Sequence, residues 1–313
     1  MGVIGTGDEV ATIVLVYSVG LQVACFVVPT RMWDCRIVAP FLAVVLCEIA
    51  LIGAATWTTR QLRDEYGGVL RDGTFDDGLT ITGDLDDSMK ITIGPNISAA
   101  FVNIANLSMG RNSELALIGV TSTGPVRCSI VSAPCTGEGH ARLVLNQVDV
   151  SVESNLTSDD DIRAIHVEPP RPCSNEATPK LDVVINASSV RVVTTRRSVS
   201  MSAGIVLGSS NGTHGGPAGC FGGVQVLNNI VVVRTEGDIP QSVPHVGIQL
   251  SNGTALLCAG SVAVANNSVT VRHNRMNRGF GYVTGIEVEL AMVTDAAVEN
   301  NTVDVRANCT PTT

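Results

Sequence analysis

Three consecutive carboxylates, Asp159-Asp160-Asp161, followed by Ile162, are the longest unbroken acid run in the 313-residue chain. Paired carboxylates on a rigid scaffold can activate water and protonate a leaving oxygen, which is the chemistry of glycoside cleavage. A second acidic group, Asp72, Asp76, Asp77, Asp84, Asp86 and Asp87, offers hard oxygen ligands for Ca²⁺. Its spacing is not that of an EF-hand, because the twelfth position counted from Asp72 is Gly83. His140, His166, His214, His245 and His273 have no metal-ligand spacing and are expected on the surface or in loops. No C-x-x-C occurs, so neither zinc nor a thioredoxin-like pair is indicated. The aspartate run therefore reads as a solvated loop, and the second group as a membrane-proximal stalk or capping turn. No catalytic residue, metal or cofactor is expected.

Covalent modification is a stronger signal. Sequons N-x-S/T start at Asn96, Asn106, Asn155, Asn186, Asn211, Asn252, Asn266, Asn300 and Asn308, and none falls in the first 95 residues. Each is a weak sign alone; their density points to a glycoprotein of the secretory pathway. Cys25, Cys35 and Cys47 lie in or beside apolar runs. The six others, Cys128, Cys135, Cys173, Cys220, Cys258 and Cys309, are even in number, as disulfides require. Cys128 and Cys135 could close a short loop, and the remaining pairings stay open.

The elements that would position these residues announce themselves as a repeat. A phrase of Asn and two alternate valines recurs at Asn146-Val148-Val150, Asn229-Val231-Val233, Asn267-Val269-Val271 and Asn301-Val303-Val305, with Asn186 slipped by two residues. A second phrase alternates with it: Ala164-Ile165-x-Val167, Gly204-Ile205-x-Leu207, Gly247-Ile248-x-Leu250 and Gly285-Ile286-x-Val288. Its copies recur at a step of about 40 residues, a period that signals stacked units. Two phrases per unit predict two turns of about 20 residues each. Period-2 alternation of β-branched residues makes short strands, and Gly-rich polar runs make the connections. The expected fold is all-β, a parallel β-helix with rungs about 4.8 Å apart. In VANNSVTVRHNR, Asn267, Val269 and Val271 share parity and face inward, whereas Asn266 faces water. An inward Asn at a corner, in left-handed geometry, could bond its amide to its equivalent one layer away. On this reading Cys220 and Cys258 stand about two rungs apart, too far to join.

One or two hydrophobic helices are expected before the β-helix. Residues 10–30 carry no charge and are long enough to span a bilayer. A second apolar run, 37–57, is interrupted by Pro40 and Glu48 and flanked by Trp33 and Trp57, residues suited to the membrane boundary. Either both runs form a hairpin with the RMWDCR break in the cytosol, or translation starts at Met32 and the second run is a cleaved signal. Both place the C-terminal part outside. Residues 1–58 then form the membrane or signal region, 59–96 an acidic linker or β-helix cap, and 97–313 the repeat domain. The end NCTPTT carries no apolar lipid-anchor tail, and a fragment of a longer chain is allowed for. Aromatics are only 4% and the net charge is −9, so nucleic acid is not an expected partner.

The alternating phrases NNSVTV and GIEVEL resemble right-handed parallel β-helix repeat proteins. With sequons and an apolar N-terminus, the chain looks like membrane-associated surface glycoproteins of free-living protists such as bodonid kinetoplastids. The resemblance covers about residues 97–310 and implies a structural, adhesive or recognition role at the cell membrane or in secreted form. Partners would be the membrane through the N-terminal segment, and carbohydrate or another surface protein. The alternative is a carbohydrate-active enzyme, a lyase or hydrolase. Asp159–Asp161 is similar to the paired-aspartate motif of polygalacturonases. The Asn-Thr-Asp, Gly-His-Gly and Arg-Ile-Lys motifs of that family are absent: Gly139-His140 lacks the second glycine, and Asn301-Thr302 is followed by Val303.

Overall fold

The computed structural model describes residues 2–5, 10–16, 23–29, 55–154, 161–171, 173, 179–195, 201–208, 220–236, 244–251, 257–276 and 283–309. The chain divides into two units, Met1–Gly53 and Ala54–Thr313.

In the first unit, strands Gly2–Gly5, Val10–Val16 and Val23–Pro29 form an antiparallel sheet in that order. The helix expected over 10–30 is therefore replaced by two strands. Valine is the commonest residue in both strands, and its β-branched side chain favours the pleated backbone over the helical one. Among the described residues no helix is long and apolar enough to cross a membrane. Most of the second apolar run, residues 37–54, lies outside the described residues. Its last three residues do not belong to a membrane helix: Ala55–Thr58 is a strand, and Trp57 packs against the core and edge-on to Tyr66, with ring centroids 5.0 Å apart.

The second unit is the expected parallel β-helix, built from three parallel sheets that run through eight turns. The first sheet holds Ala55–Thr58, Leu79–Leu85, Val102–Met109, Val126–Ser132, Ile162–Glu168, Ser202–Leu207, His245–Leu250 and Val283–Val288. The second runs from Val69–Leu70 through Lys90–Ile93, Glu114–Ile118, Ala141–Asn146, Leu181–Asn186 and Cys220–Leu227 to Leu257–Ala265. Its last turn is split into Leu290–Met292 and Asp295–Glu299. The third holds Gly73–Phe75, Ile97–Ala99, Val120–Ser122, Asp149–Ser154, Ser189–Thr194, Ile230–Thr235, Ser268–Met276 and Thr302–Cys309. Residues 59–96, expected as a linker or cap, hold strands of the first two turns and the helix Thr59–Tyr66. That helix opens on a Thr58/Gln61 capping box, ends at Gly67 with φ 61°, and buries Leu62 completely.

One column of register partners measures the turns. It passes through Ala55, Leu79, Val102, Val126, Ile165, Ile205, Ile248 and Ile286. The steps up to Val126 are short, and from Val126 onward each step is a whole repeat unit. Each unit is thus one long turn, not two short ones. The second and third sheets are joined by very short corners, such as Gln147-Val148 and Asn228-Asn229, so their strands read as a single phrase in the sequence. Extra length enters at the other two corners, as in 208–219 and 236–244, while the second-to-third corner stays tight.

Like stacks on like in the interior. Val150, Val190, Val231 and Val269 form one column, each at most 1% exposed. Burying an aliphatic side chain of this size contributes roughly 1.5–3 kcal/mol. The last three copies of the second phrase begin with glycine for a steric reason. A Cβ at Gly204, Gly247 or Gly285 would collide with Cγ1 of Val231, Val269 or Val303 from the third sheet.

The inner members of the paired asparagines make a ladder. Inside, Asn229 and Asn267 are 1% exposed; Asn229 Nδ2 donates to Asn267 Oδ1 at 3.0 Å, and Asn267 Nδ2 donates to Asn301 Oδ1 at 2.9 Å. Each amide also caps a carbonyl of another rung, Ile185, Val226 or Val264. Ser188 takes this place one turn earlier and Val148 one before that, where Val148 N donates to Ser188 Oγ. The left-handed residue is the outer one, contrary to expectation: φ is 56° at Asn228, 58° at Asn266 and 54° at Asn300. Asn146 and Asn186 are register partners on the second sheet. Asn146 therefore shares the two-residue slip of Asn186 and is not equivalent to Asn229.

Candidate functional site

The outer face of the third sheet carries the site. Side chains alternate in and out along a strand, so Val231, Val233, Val269, Val271, Val303 and Val305 face inward and the residues between them face out. Immediately after the second valine of three successive phrases stands an arginine: Arg234, Arg272 and Arg306 are consecutive register partners. Their Cα atoms recur at the rung spacing of about 4.8 Å. A parallel outward column holds Arg191, Val232, Thr270 and Asp304. A third, at the strand starts, holds Ser189, Ile230, Ser268 and Thr302, with Ile230 57% exposed.

Charge on this face is lopsided over the last four turns. Asp304 is the lone carboxylate among those columns; its Oδ1 lies 2.9 Å from Arg306 Nε and its Oδ2 lies 3.5 Å from Arg272 Nη2. The hydrogen bond from Arg306 is the chief cause holding its carboxyl below the usual carboxylate range. Among the described residues Arg234 has no ion pair, and the buried Nε atoms of Arg234 and Arg272 have no hydrogen-bond partner. Glu153 stands two rungs before Arg234 in the same column, beyond Val193, and exposed Glu236 follows two residues after it.

The outer face of the first sheet is different: it is covered. Met201, Ala203, Val206 and Val246 make a second small apolar cluster there. Beside it, Arg163 Nη2 donates to Asp161 Oδ2 at 2.6 Å, and His166 Nε2 lies 3.0 Å from Gly208 O and 3.1 Å from Arg163 Nη1. Burial, and then the Arg163 charge, push His166 down to about 4, so its ring is neutral near pH 7. Asp161 and Glu168 bracket one strand, about 23 Å apart at 3.3 Å per residue. Glu287 lies three rungs from His166 in one column, about 14 Å at the rung spacing. These carboxylates do not converge on one reacting bond.

Among the expected glycan sites, Asn96, Asn266 and Asn300 are exposed corner residues with positive φ, and Asn106, also exposed with positive φ, lies within the strand Val102–Met109 at a register shift. Asn186 is half-buried, and its Nδ2 already donates to Asn146 Oδ1 at 2.9 Å. Asn155, Asn211 and Asn252 lie outside the described residues, and Asn308 is on the last strand. Two disulfides form, Cys135–Cys173 and Cys220–Cys258, with Cα atoms 5.8 and 4.6 Å apart. Cys128 is therefore not paired with Cys135; it is a buried free thiol pushed up to about 12 by desolvation. The separation expected between Cys220 and Cys258 is corrected too: one long turn per unit makes them register partners.

Asp159 and Asp160 lie outside the described residues. The second aspartate group is spread around the first turns. Asp72 accepts from Asn96 Nδ2 at 2.8 Å and Asp87 from Arg111 N at 2.7 Å, while Asp84 and Asp86 border a cavity of about 350 Å³ with Arg60 and Arg63. His166, His245 and His273 are buried rather than on the surface, and His140 is paired with Asp182 at 3.0 Å. The arginine column is a candidate feature that the sequence reading does not single out, although VRT, VRH and VRA close the three phrases in plain view. No protein family, no curated protein and no solved structure matches this chain.

Proposed function

We propose that the protein is a surface or secreted glycoprotein whose β-helix recognises another surface through the outer face of its third sheet. The observation that carries this reading is the contrast between two faces. The third sheet presents exposed and half-buried hydroxyls and guanidinium groups in register over its last three turns, whereas the carboxylates of the first sheet are scattered and its face is covered. Recognition without turnover is the reading this favours: a glycosidase needs two carboxylates flanking one bond, and Asp161, Glu168 and Glu287 stand apart. The exposed sequons and the two disulfides support an oxidising, secretory location, and the apolar first unit is the candidate attachment to a membrane.

The test is expression of the full chain in a eukaryotic secretory host, with peptide mapping after glycosidase treatment and a screen against immobilised glycans. The expected result is export, glycan at Asn96, Asn106 or Asn266, and binding without release of reducing ends. Retention in the cytosol without glycan would overturn the location. Release of reducing ends from any bound glycan would favour the enzyme reading.

A further inference from the structure

We infer that Arg234, Arg272 and Arg306 form a linear site for an acidic polysaccharide, one bearing carboxylate or sulfate groups along an extended chain. This rests on the recognition reading for the same face and adds the chemical class of the partner.

The second sheet shows the contrast. On the second sheet the outward column Lys90, Glu114, Arg142 and Asp182 alternates in sign from rung to rung, with Arg142 and Glu114 3.1 Å apart. Such a column is self-neutralising. On the third sheet three arginines follow one another, and among the described residues Asp304 is the one carboxylate paired with them. Like charges directly opposite one another on neighbouring strands are destabilising, so the column favours any anion that can lie along it. The chain as a whole carries 29 acidic against 20 basic residues, which makes a same-sign basic row a local exception.

The partner must match the row in shape as well as sign. Guanidinium groups bind carboxylate and sulfate through paired N–H donors, and here they recur about every 4.8 Å. That spacing is close to the length of one sugar unit along an extended polysaccharide. Thr270 sets a hydroxyl two residues from Arg272, and Ser268 and Thr302 set two more at the strand starts, suited to the hydroxyls of a sugar backbone. No Trp, Tyr or Phe stands among the outward residues of these columns. Single-stranded nucleic acid would want aromatic platforms for its bases, and none is offered.

The test uses the full chain in titration calorimetry against heparin, polygalacturonate, uncharged dextran and a single-stranded oligonucleotide. The expected result is binding to heparin or polygalacturonate, the two arms telling sulfate from carboxylate, and none to dextran. Affinity should fall with added salt. The double variant Arg234→Ser/Arg272→Ser should weaken binding roughly tenfold or more, as expected for loss of charge-assisted hydrogen bonds. Arg142→Ser, on the second sheet, should leave it unchanged. If the double variant fails to fold by circular dichroism, Arg306→Ser, whose side chain is 66% exposed, is read instead. Unchanged affinity in the folded variant, no binding to either acidic polysaccharide, or equal binding to the oligonucleotide would each overturn the inference. Because the assay is done in solution, it stands or fails independently of whether the protein is exported.

Discussion

Asn267 shows how much one side chain can hold in this architecture. Its amide donates to Val226 O and Asn301 Oδ1, and its Oδ1 accepts from the backbone and the side chain of Asn229. Asn267→Ala strands several buried polar groups at once. At about 1–3 kcal/mol for each unsatisfied group, it should cost more than a surface Asn→Ala by several-fold in chemical denaturation. The amide ladder was legible in the sequence because a solenoid sets equivalent residues directly above one another, so a structural need repeats as a phrase. Which asparagine turns the corner was not legible. Both tolerate positive φ, and only the register shows that the outer one takes it. Ala187 and Gln147 hold φ 49° and 56° at the same place, so the register imposes the corner even where asparagine is missing.

At the scale of elements, the seam between the third and first sheets carries a polar column of its own. Thr194 bonds Ser202 at 2.9 Å. One turn on, Thr235 Oγ1 lies 3.3 Å from His245 Nδ1, and the His245 ring meets that of His273 edge-on at 4.7 Å. Burial, and then the neighbouring ring, lower His245 to about 4; burial lowers His273 as well. With His166 these are groups whose folded pKa lies below the ordinary value near 6.5. Between the two values the unfolded chain takes up protons that the folded one refuses, so stability falls as pH drops from about 6.5 toward about 4. The loss is roughly 1.4 kcal/mol for each unit of displacement per histidine. Urea unfolding at pH 7 and pH 5 should show it, and His245→Gln should flatten the dependence. Sequence spacing could not have revealed this, because His245 and His273 sit on different strands and meet only through the winding of the chain. The same winding explains the misjudged cysteines: with each repeat unit taken as two turns, Cys220 and Cys258 miss each other.

Across the whole β-helix the two ends differ. The first turn is covered by the helix Thr59–Tyr66, with Leu62 fully buried. On the last turn Val298, Val303 and Val305 are 53%, 46% and 41% exposed, although their partners one rung inward, Val264, Val269 and Val271, are at most 1% exposed. Position in the stack, more than residue type, sets the contribution of each valine. Val269→Thr should destabilise by about 1–3 kcal/mol, because it buries a hydroxyl without a partner, while Val303→Thr should stay within about 0.5 kcal/mol. Thermal unfolding of the two variants side by side checks this.

The tight corner between the second and third sheets has a bearing on recognition. Residues added at the other two corners widen a turn without raising it, so height along the axis counts rungs and ignores chain length. More chain separates Arg234 from Arg272 than Arg272 from Arg306, yet each pair is one step apart. A row of cations built this way is a ruler whose graduations insertions elsewhere cannot shift, leaving the bulk of each turn free to diverge around a fixed scale.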